Sequence, residues 1–242
     1  MTANLHEISS KLQVEFGLWP CVGVEIEFYL ESDDIADAPF LIKKEKGLRQ
    51  YEIDLPPATD IELLCEQIDE AKNALQKWRP GINFHPKPFP DDYGSAMHFH
   101  INLLKSDGSN YFDNDENLYL AANSLCHFML KDFAVFTPEE SHYARYSAKF
   151  MAPCNVSYGG NNRSVAIRIP DMKPRRLEHR LCSPMTNQRD ALYAILRSIY
   201  LGLVNPSSIR KYQKIHGNAF DEQYALQPLP RSLKEATDNG NT

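Results

Sequence analysis

The stretch CVGVEIEFYL, residues 21–30, decides the fold that the sequence predicts. Its apolar side chains recur at every second position, and this period of two is typical of a β-strand with one buried face. The opposite face carries Glu25 and Glu27. Two carboxylates therefore project together from one side of a single strand.

Three further stretches repeat this alternation: AMHFHINLL at 96–104, RSVAIRIP at 163–170 and RRLEHRLC at 175–182. Their polar faces carry imidazoles, arginines and a carboxylate, namely His98, His100, Arg168, Arg176, Glu178 and Arg180. A half-exposed antiparallel sheet commonly has a polar outer face, so one such strand alone would indicate no more than that. The combination across several strands indicates a lined cavity.

Four helices are predicted around these strands. In the clearest of them, Thr59 and Glu62 fit a capping box ahead of a core-facing apolar stripe that ends at Trp78. The predicted helices cover residues 4–16, 59–78, 116–136 and 186–203. Residues 231–242 are polar and have little apolar surface to bury, so we expect one domain over residues 1–230 and then a disordered tail.

Composition excludes several classes of protein. The 242 residues carry 26 basic and 32 acidic side chains, a net charge of −6, which argues against binding to nucleic acid or to an anionic membrane. No run approaches the roughly 20 apolar residues of a membrane span, and the N-terminus lacks the features of a signal peptide, so we expect a cytoplasmic protein. The five cysteines are scattered without a C-x-x-C pair, which predicts reduced thiols rather than disulfides or a thiolate metal site.

The polar faces together predict a metal and phosphate site. Clustered carboxylates raise one another's pKa unless a cation neutralises them, and many carboxylates with one imidazole suit Mg²⁺ or Mn²⁺ better than Zn²⁺. Arginines facing the same site suit phosphate and carboxylate oxygens. Metal and arginines together indicate a phosphorylated substrate such as ATP.

From about Gly23 to Gly202 the chain resembles the catalytic domain of the glutamine synthetases. Five ordered motifs carry the resemblance: VGVEIEF, EKGLRQYEI, KPFPDDYGSAMHFHINL, NRSVAIRIP and RRLEHR. The resemblance implies an α+β fold shared with the guanidino kinases, with a curved, mostly antiparallel sheet and helices on its outer face. It also implies ATP as cosubstrate and two or three Mg²⁺ or Mn²⁺ ions.

The resemblance also assigns roles to single residues. The metal ligands it implies are Glu25, Glu27, Glu45, Glu52, His98 and Glu178. The residues it implies for the ATP phosphates are His100, Arg163, Arg168, Lys173 and Arg176. Those it implies for the carboxylate substrate are Gly94, Arg145 and Arg180, and the arginines implied to act on the transferring group are Arg163, Arg176 and Arg180.

The sequence departs from the family pattern where ammonium is handled. Only about 20 residues precede the first metal strand, so we expect the family's N-terminal β-grasp domain, and the aspartate that it supplies, to be absent. Met151 stands where the family has a glutamate that helps bind ammonium, and Tyr93 replaces an asparagine beside the substrate loop. The region between Glu27 and Glu45 is also short. These departures predict retained phosphoryl transfer with a changed acceptor.

Three functions stay open at this point. The leading hypothesis is an ATP-dependent ligase that phosphorylates a carboxylate, the γ-carboxylate of glutamate or an analogue, and transfers the acyl group to an amine other than ammonia. The alternatives are a nucleotide- and metal-binding homologue without catalysis and a simple phosphotransferase. The expected partners are ATP, the glutamate-like carboxylate and the amine, with no nucleic acid and no membrane. The further partners considered are a second copy of the chain, in a homo-oligomer, or a partner chain that covers the open site.

Overall fold

The computed structural model describes residues 4–241 and has an α+β architecture. The helices are α1 (Leu5–Phe16), α2 (Ile61–Trp78), α3 (Asp115–Phe128), α4 (Phe133–Phe136), α5 (Gln188–Val204) and α6 (Leu233–Gly240). The strands are β1 (Leu18–Tyr29), β2 (Ile42–Lys44), β3 (Gln50–Ala58), β4 (Met97–Lys105), β5 (Tyr158–Gly159), β6 (Ile167–Arg168), β7 (Leu177–His179) and β8 (Lys214–Ile215).

All of these strands form one eight-stranded sheet in the order β2-β3-β1-β4-β7-β6-β5-β8. Neighbouring strands run antiparallel from β2 to β6, whereas β5 pairs in parallel with both β6 and β8 at one edge. The prediction of an α+β fold with a mostly antiparallel sheet is therefore confirmed.

The helices cover the apolar face of this sheet. Val24, Ile26 and Phe28 on β1 are at most 1% exposed and belong to the same buried cluster as Leu64 of α2 and Leu192 of α5. Burial of one such side chain stabilises the fold by about 1.5–3 kcal/mol. With one face committed to the core, the alternate residues of each strand are left on the opposite face.

The prediction of one continuous helix over residues 116–136 is wrong, because two helices occupy this region. The chain leaves helical geometry at Asp132, with φ −97° and ψ 2°, between α3 and α4. The buried carboxylate of Asp132 accepts hydrogen bonds from Arg197 at 2.8 Å and from Ser198 at 3.2 Å. This pairing with α5 fixes Asp132 at the break, and the apolar pattern of the sequence gives no sign of it.

The predicted disordered tail at 231–242 is also wrong for the described residues, since α6 forms there. Ser232 accepts a hydrogen bond from the backbone of Glu235 at 3.2 Å, and the Glu235 carboxylate accepts one from the backbone of Arg231 at 2.9 Å. Ala236 is fully buried, and α6 packs against α4. Two local caps and one small buried side chain order a segment whose composition alone indicates disorder. Thr242 lies outside the described residues.

Two further expectations concern membranes and thiols. Within residues 4–241, no helix combines the length and the apolar character that a membrane crossing needs. All five cysteines lie in this range and are free: Cys65, Cys126 and Cys182 are buried, and Cys21 and Cys154 are half-buried. The predicted reduced thiols agree with this arrangement.

The start of α2 provides a test of the fold. The sequence predicts Thr59 as the cap, but the side chain of Asp60 accepts the hydrogen bond from the backbone of Leu63 at 3.0 Å. We expect Asp60→Ala to lower the free energy of unfolding by about 1 kcal/mol, and Thr59→Ala to leave it within about 0.5 kcal/mol of wild type. Urea titration followed by circular dichroism measures both, and an equal loss in the two variants would contradict the assignment of the cap.

Candidate active site

A line of polar side chains crosses the sheet on the face opposite the helices. The strand register places four pairs opposite each other: Glu27 and Glu52, Glu25 and His98, His100 and Glu178, and Glu178 and Arg168. We call these seven residues the polar row. Directly opposed side chains on antiparallel strands have Cβ atoms about 4.5–5.5 Å apart, so the register alone brings the functional groups within reach of one another.

A compact group of possible metal ligands lies in the middle of the polar row. One ligand atom each from Glu25, His100 and Glu178 lie within 4.8 Å of one another. His98 also lies here, with its Nδ1 3.2 Å from Glu25 Oε2 and 3.8 Å from Glu178 Oε1. The family resemblance implies His98 as the ligand in this group and His100 as a phosphate contact. Both imidazoles reach Glu25, and the compact group contains His100.

A second set of carboxylates lies toward β3. Burial and repulsion from Glu25, Glu45 and Glu27 raise the pKa of Glu52 to about 7. Burial, together with repulsion from Glu45, also raises the pKa of Glu27. The donor set is oxygen-rich, and burial with repulsion between carboxylates disfavours the charged forms of Glu27 and Glu52. These residues fit a divalent cation, whose positive charge would offset that repulsion.

The carboxylates in the middle of the row behave differently. Burial would raise the pKa of Glu25, but hydrogen bonds from His100 and His98 outweigh it, so the pKa is lowered. Burial would also raise the pKa of Glu178, but the charges of His98 and Arg180 outweigh burial, so this pKa is lowered as well. The pKa of Glu25 is therefore lowered by two imidazole hydrogen bonds, and that of Glu178 by neighbouring positive charges.

Two cavities flank the polar row. Cavity A, of about 60 Å³, is lined by Glu27 and His98 from the row and by Glu45, Gly94, Arg145, Met151, Arg163 and Arg180 among others. Cavity B, of about 360 Å³, is lined by Glu25 and His100 from the row, by Arg176, and by apolar residues that include Leu55, Pro57, Met172 and Pro174. The row thus forms the boundary between the two.

Arg168, which belongs to the polar row, and two further predicted arginines contact other residues of the row. Arg168 donates a hydrogen bond to Glu178 Oε2 at 2.6 Å, and the Nε of Arg180 lies 3.0 Å from Glu178 Oε1. Arg176 donates from its Nε to His100 Nδ1 at 3.0 Å. Their guanidinium groups are therefore fixed beside the candidate metal ligands.

Two of the remaining predicted basic residues, Lys173 and Arg163, lie farther from the row. The Lys173 side chain is 72% exposed and donates to Asp113 at 3.0 Å, although its residue borders cavity B. Arg163 is exposed at the edge of cavity A, and its backbone carbonyl accepts a hydrogen bond from Arg180. The structure therefore does not bring Lys173 into the row, and it brings Arg163 only to the cavity edge.

Arg145 and Gly94 meet at the inner wall of cavity A. Arg145 is 3% exposed and donates hydrogen bonds to the carbonyl oxygens of Leu181 at 3.0 Å and Arg180 at 2.9 Å. A Cβ atom at position 94 would lie 2.8 Å from the carbonyl oxygen of Pro86 and 3.0 Å from Arg145 Cβ. Only glycine allows this close approach, which explains why the loop carries one here.

An apolar and aromatic wall closes the other side of cavity A. The rings of Tyr93 and Phe150 lie 5.5 Å apart in an edge-to-face arrangement, and the ammonium of Lys87 lies 3.7 Å from the Phe150 ring. Met151 adopts a left-handed backbone conformation with φ 56° and is 37% exposed. These wall residues therefore offer an ammonium ion no negative charge.

Sequence reasoning did not assign a role to two residues that contact the site. Gln50 is buried and donates to Glu27, and Asn161 accepts a hydrogen bond from Arg168 Nε at 3.0 Å. Gln50 lies inside the quoted motif EKGLRQYEI, which was the only sequence signal for it. Asn161 directly precedes the strand motif that carries Arg168, and no pattern distinguishes it from an ordinary loop residue.

Known proteins are similar to this chain in sequence and in fold. Gamma-glutamylputrescine synthetase PuuA of Escherichia coli (strain K12) is 26% identical over 194 residues, which are 76% of this chain and 41% of that protein. A glutamine synthetase of Staphylococcus aureus (strain MRSA252) is 30% identical over 205 residues, 77% of this chain and 45% of that protein. The chain thus spans less than half the length of these two relatives.

A solved structure of a GmaS/ADP complex superposes with a TM-score of 0.81 at 22% identity, and the match covers 98% of this chain and 66% of that one. This likeness shows a shared fold. The family described as "Glutamine synthetase, catalytic domain" matches residues 39–240. With that match over most of its length, the chain belongs to the glutamine synthetase family.

Proposed function

We propose that this chain carries the catalytic site of an ATP-dependent carboxylate–amine ligase. In this reaction ATP phosphorylates a carboxylate, the γ-carboxylate of glutamate or an analogue, and an amine other than ammonia displaces phosphate from the acyl phosphate. The observation that carries the proposal is the polar row, which separates a larger cavity from a smaller one. A reaction that consumes ATP also fits the cytoplasmic location that the sequence predicts.

Cavity B suits a nucleotide. Its volume of about 360 Å³ and its apolar walls at Leu55, Pro57 and Met172 match the flat, apolar face of a base. Arg176 and His100 lie where this cavity meets the row, and a guanidinium group beside an imidazole suits phosphate oxygens. GmaS, which shares the fold, forms a complex with ADP, and this supports a nucleotide here.

Cavity A suits the carboxylate substrate. The buried guanidinium groups of Arg145 and Arg180 border it, and forked cations of this kind bind carboxylates. Gly94 lets the loop backbone approach Arg145 at the wall of this cavity. The relative gamma-glutamylputrescine synthetase is named for a γ-glutamyl product, which supports glutamate as the source of the acyl group.

Divalent metal ions fit between the cavities. The residues that would hold them are Glu27, Glu45 and Glu52 on one side, and Glu25 and Glu178 with an imidazole of His98 or His100 on the other. When bound, Mg²⁺ or Mn²⁺ would neutralise phosphate oxygens and so favour phosphoryl transfer. Arg168 and Arg180, held by Glu178, stabilise the negative charge that spreads over the phosphoryl oxygens.

The lining of cavity A supports an amine other than ammonia. Among the described residues, the acidic ones that line it are Glu27 and Glu45, and both belong to the proposed metal set. Met151, Phe150 and Tyr93 form the opposite wall, which favours an amine with an apolar substituent over an ammonium ion.

A panel of amines tests the proposed function. With ATP, Mg²⁺ and L-glutamate, we expect phosphate release that depends on both glutamate and an alkylamine, with ammonia at least about tenfold less effective in kcat/KM, a difference of about 1.4 kcal/mol. A stable phosphorylated product without amine consumption would favour a phosphotransferase. Nucleotide binding without turnover would favour the non-catalytic alternative.

Met151→Glu tests the role of the apolar wall. The new carboxylate would attract an ammonium ion, so we expect the preference for the alkylamine over ammonia to fall about tenfold. Met185→Glu, at another half-exposed methionine outside both cavities, serves as the control and should leave the preference unchanged. An unchanged preference in Met151→Glu would remove Met151 from the acceptor site.

Metal binding can be tested without turnover. Calorimetry with Mn²⁺ should detect binding to the wild-type protein, and Glu27→Gln should lower the affinity at least about tenfold because a ligand charge is lost. Glu70→Gln, on the exposed face of α2, is the matched control and should bind like wild type. Equal affinity in all three proteins would argue against a metal at Glu27.

The pH dependence of the metal-free protein follows from Glu52 and His98. Burial lowers the pKa of His98, but Glu25, Glu27 and Glu178 have the larger effect, so this pKa is raised. Burial and neighbouring carboxylates raise the pKa of Glu52 to about 7. Stability gained from groups with raised pKa values is lost as pH rises through them. We therefore expect the melting temperature without metal to fall between about pH 5 and pH 7, where the Glu52 carboxyl ionises in the unfolded chain before it does in the folded protein, and Glu52→Gln to reduce that fall. A rise over the same range would contradict these shifts.

A further inference from the structure

Gln50 lies at the junction of three segments that carry candidate site residues. It is the first residue of β3, and only 2% of its surface is exposed. The three segments are β1 with Glu27, the loop before β3 with Glu45, and the loop before β4 with Gly94. A single buried side chain thus contacts both the acidic and the substrate side of cavity A.

Every hydrogen-bonding group of the Gln50 side chain has a partner. Its amide nitrogen donates to Glu27 Oε2 at 3.2 Å and to the carbonyl oxygen of Gly94 at 2.9 Å. Its Oε1 accepts from the backbone of Gly47 at 3.0 Å. The amide nitrogen also lies 3.4 Å from Ser95 Oγ, so both its donors and the carbonyl oxygen of the side chain have partners.

The first bond decides which oxygen of Glu27 is available. Glu27 Oε2 accepts a second hydrogen bond, from the backbone of Ala96 at 2.8 Å. The other oxygen, Oε1, lies 3.9 Å from His98 Nδ1, and Glu27 borders cavity A. Gln50 and Ala96 together hold Glu27 Oε2, and they leave Oε1 free on the side of His98.

The remaining bonds fix the two loops. The backbone of Glu45 donates to the carbonyl oxygen of Gln50 at 2.9 Å, so the same residue also positions the second acidic segment. Gly94, held by the Gln50 amide, lies against Arg145. Movement of the acidic residues therefore requires movement of the loop that borders the carboxylate cavity.

We propose that Gln50 is a positioning residue that couples metal binding at Glu27 and Glu45 to binding of a carboxylate substrate beside Gly94 and Arg145. This inference rests on the proposed function, since it names how two ligands of that same site influence each other. Reciprocity follows from linkage: if the carboxylate raises the affinity for the metal, the metal raises the affinity for the carboxylate by the same factor.

Gln50→Met tests the coupling, because methionine keeps the length of the side chain but removes the donors and the acceptor. The probes are Mn²⁺ and L-glutamate, with Mn²⁺ affinity measured by calorimetry in the absence and presence of L-glutamate. The matched control is Gln188→Met, at a glutamine that is 6% exposed, donates to the carbonyl oxygen of Cys65 at 3.1 Å and lines neither cavity. Melting temperatures of all proteins report the purely structural cost.

We expect L-glutamate to raise the Mn²⁺ affinity of the wild type and of Gln188→Met. In Gln50→Met the Mn²⁺ affinity should fall about 10- to 100-fold, as for other residues that orient metal ligands, and L-glutamate should no longer raise it. Gln50→Glu keeps the size and the acceptor but loses both donors, so the loss of coupling should appear there too if Gln50→Met does not fold.

Two results would overturn the inference and leave the proposed function standing. One is a Gln50→Met protein with wild-type Mn²⁺ affinity and wild-type coupling. The other is an equal loss in Gln50→Met and Gln188→Met, which would indicate a general structural role. A wild-type protein that binds no Mn²⁺ would overturn the proposed function and this inference together.

Discussion

Repulsion between like charges at paired positions of one sheet is the constraint on which the rest of this site depends. Glu27 faces Glu52 across β1 and β3, and both side chains are buried. Like charges repel more strongly in a protein interior than in water, and repulsion from Glu27 is one cause of the raised pKa of Glu52. The fold tolerates the repulsion because the other face of the same strands buries a continuous apolar core.

The polar row is asymmetric in charge. Toward β3, Glu52 pairs with Lys43, whose ammonium lies 3.4 Å away and whose side chain is 44% exposed to solvent. Toward β6, Glu178 is surrounded by Arg168, Arg180 and the two imidazoles. The carboxylates of the first half therefore have one half-exposed ammonium as a partner, whereas Glu178 in the second half is paired with two arginines.

Much of the site could be predicted from alternation along single strands. The period of two places Glu25 and Glu27, or His98 and His100, on one face without any knowledge of the partner strands. Register could not be predicted from alternation, since it depends on pairing between distant segments, and so the place of His100 beside Glu25 and Glu178 emerged only in three dimensions. The break at Asp132 was missed because it depends on contacts with α5, and α6 because composition alone does not register the local capping pair of Ser232 and Glu235.

The separation of the two cavities has a kinetic consequence. Cavities A and B share no lining residue and lie on different sides of the polar row. If cavity A takes the carboxylate and cavity B the nucleotide, as proposed, the two ligands contact different residues and neither occupies the place of the other. A preferred order of addition would then arise from one ligand changing the affinity for the other across the row.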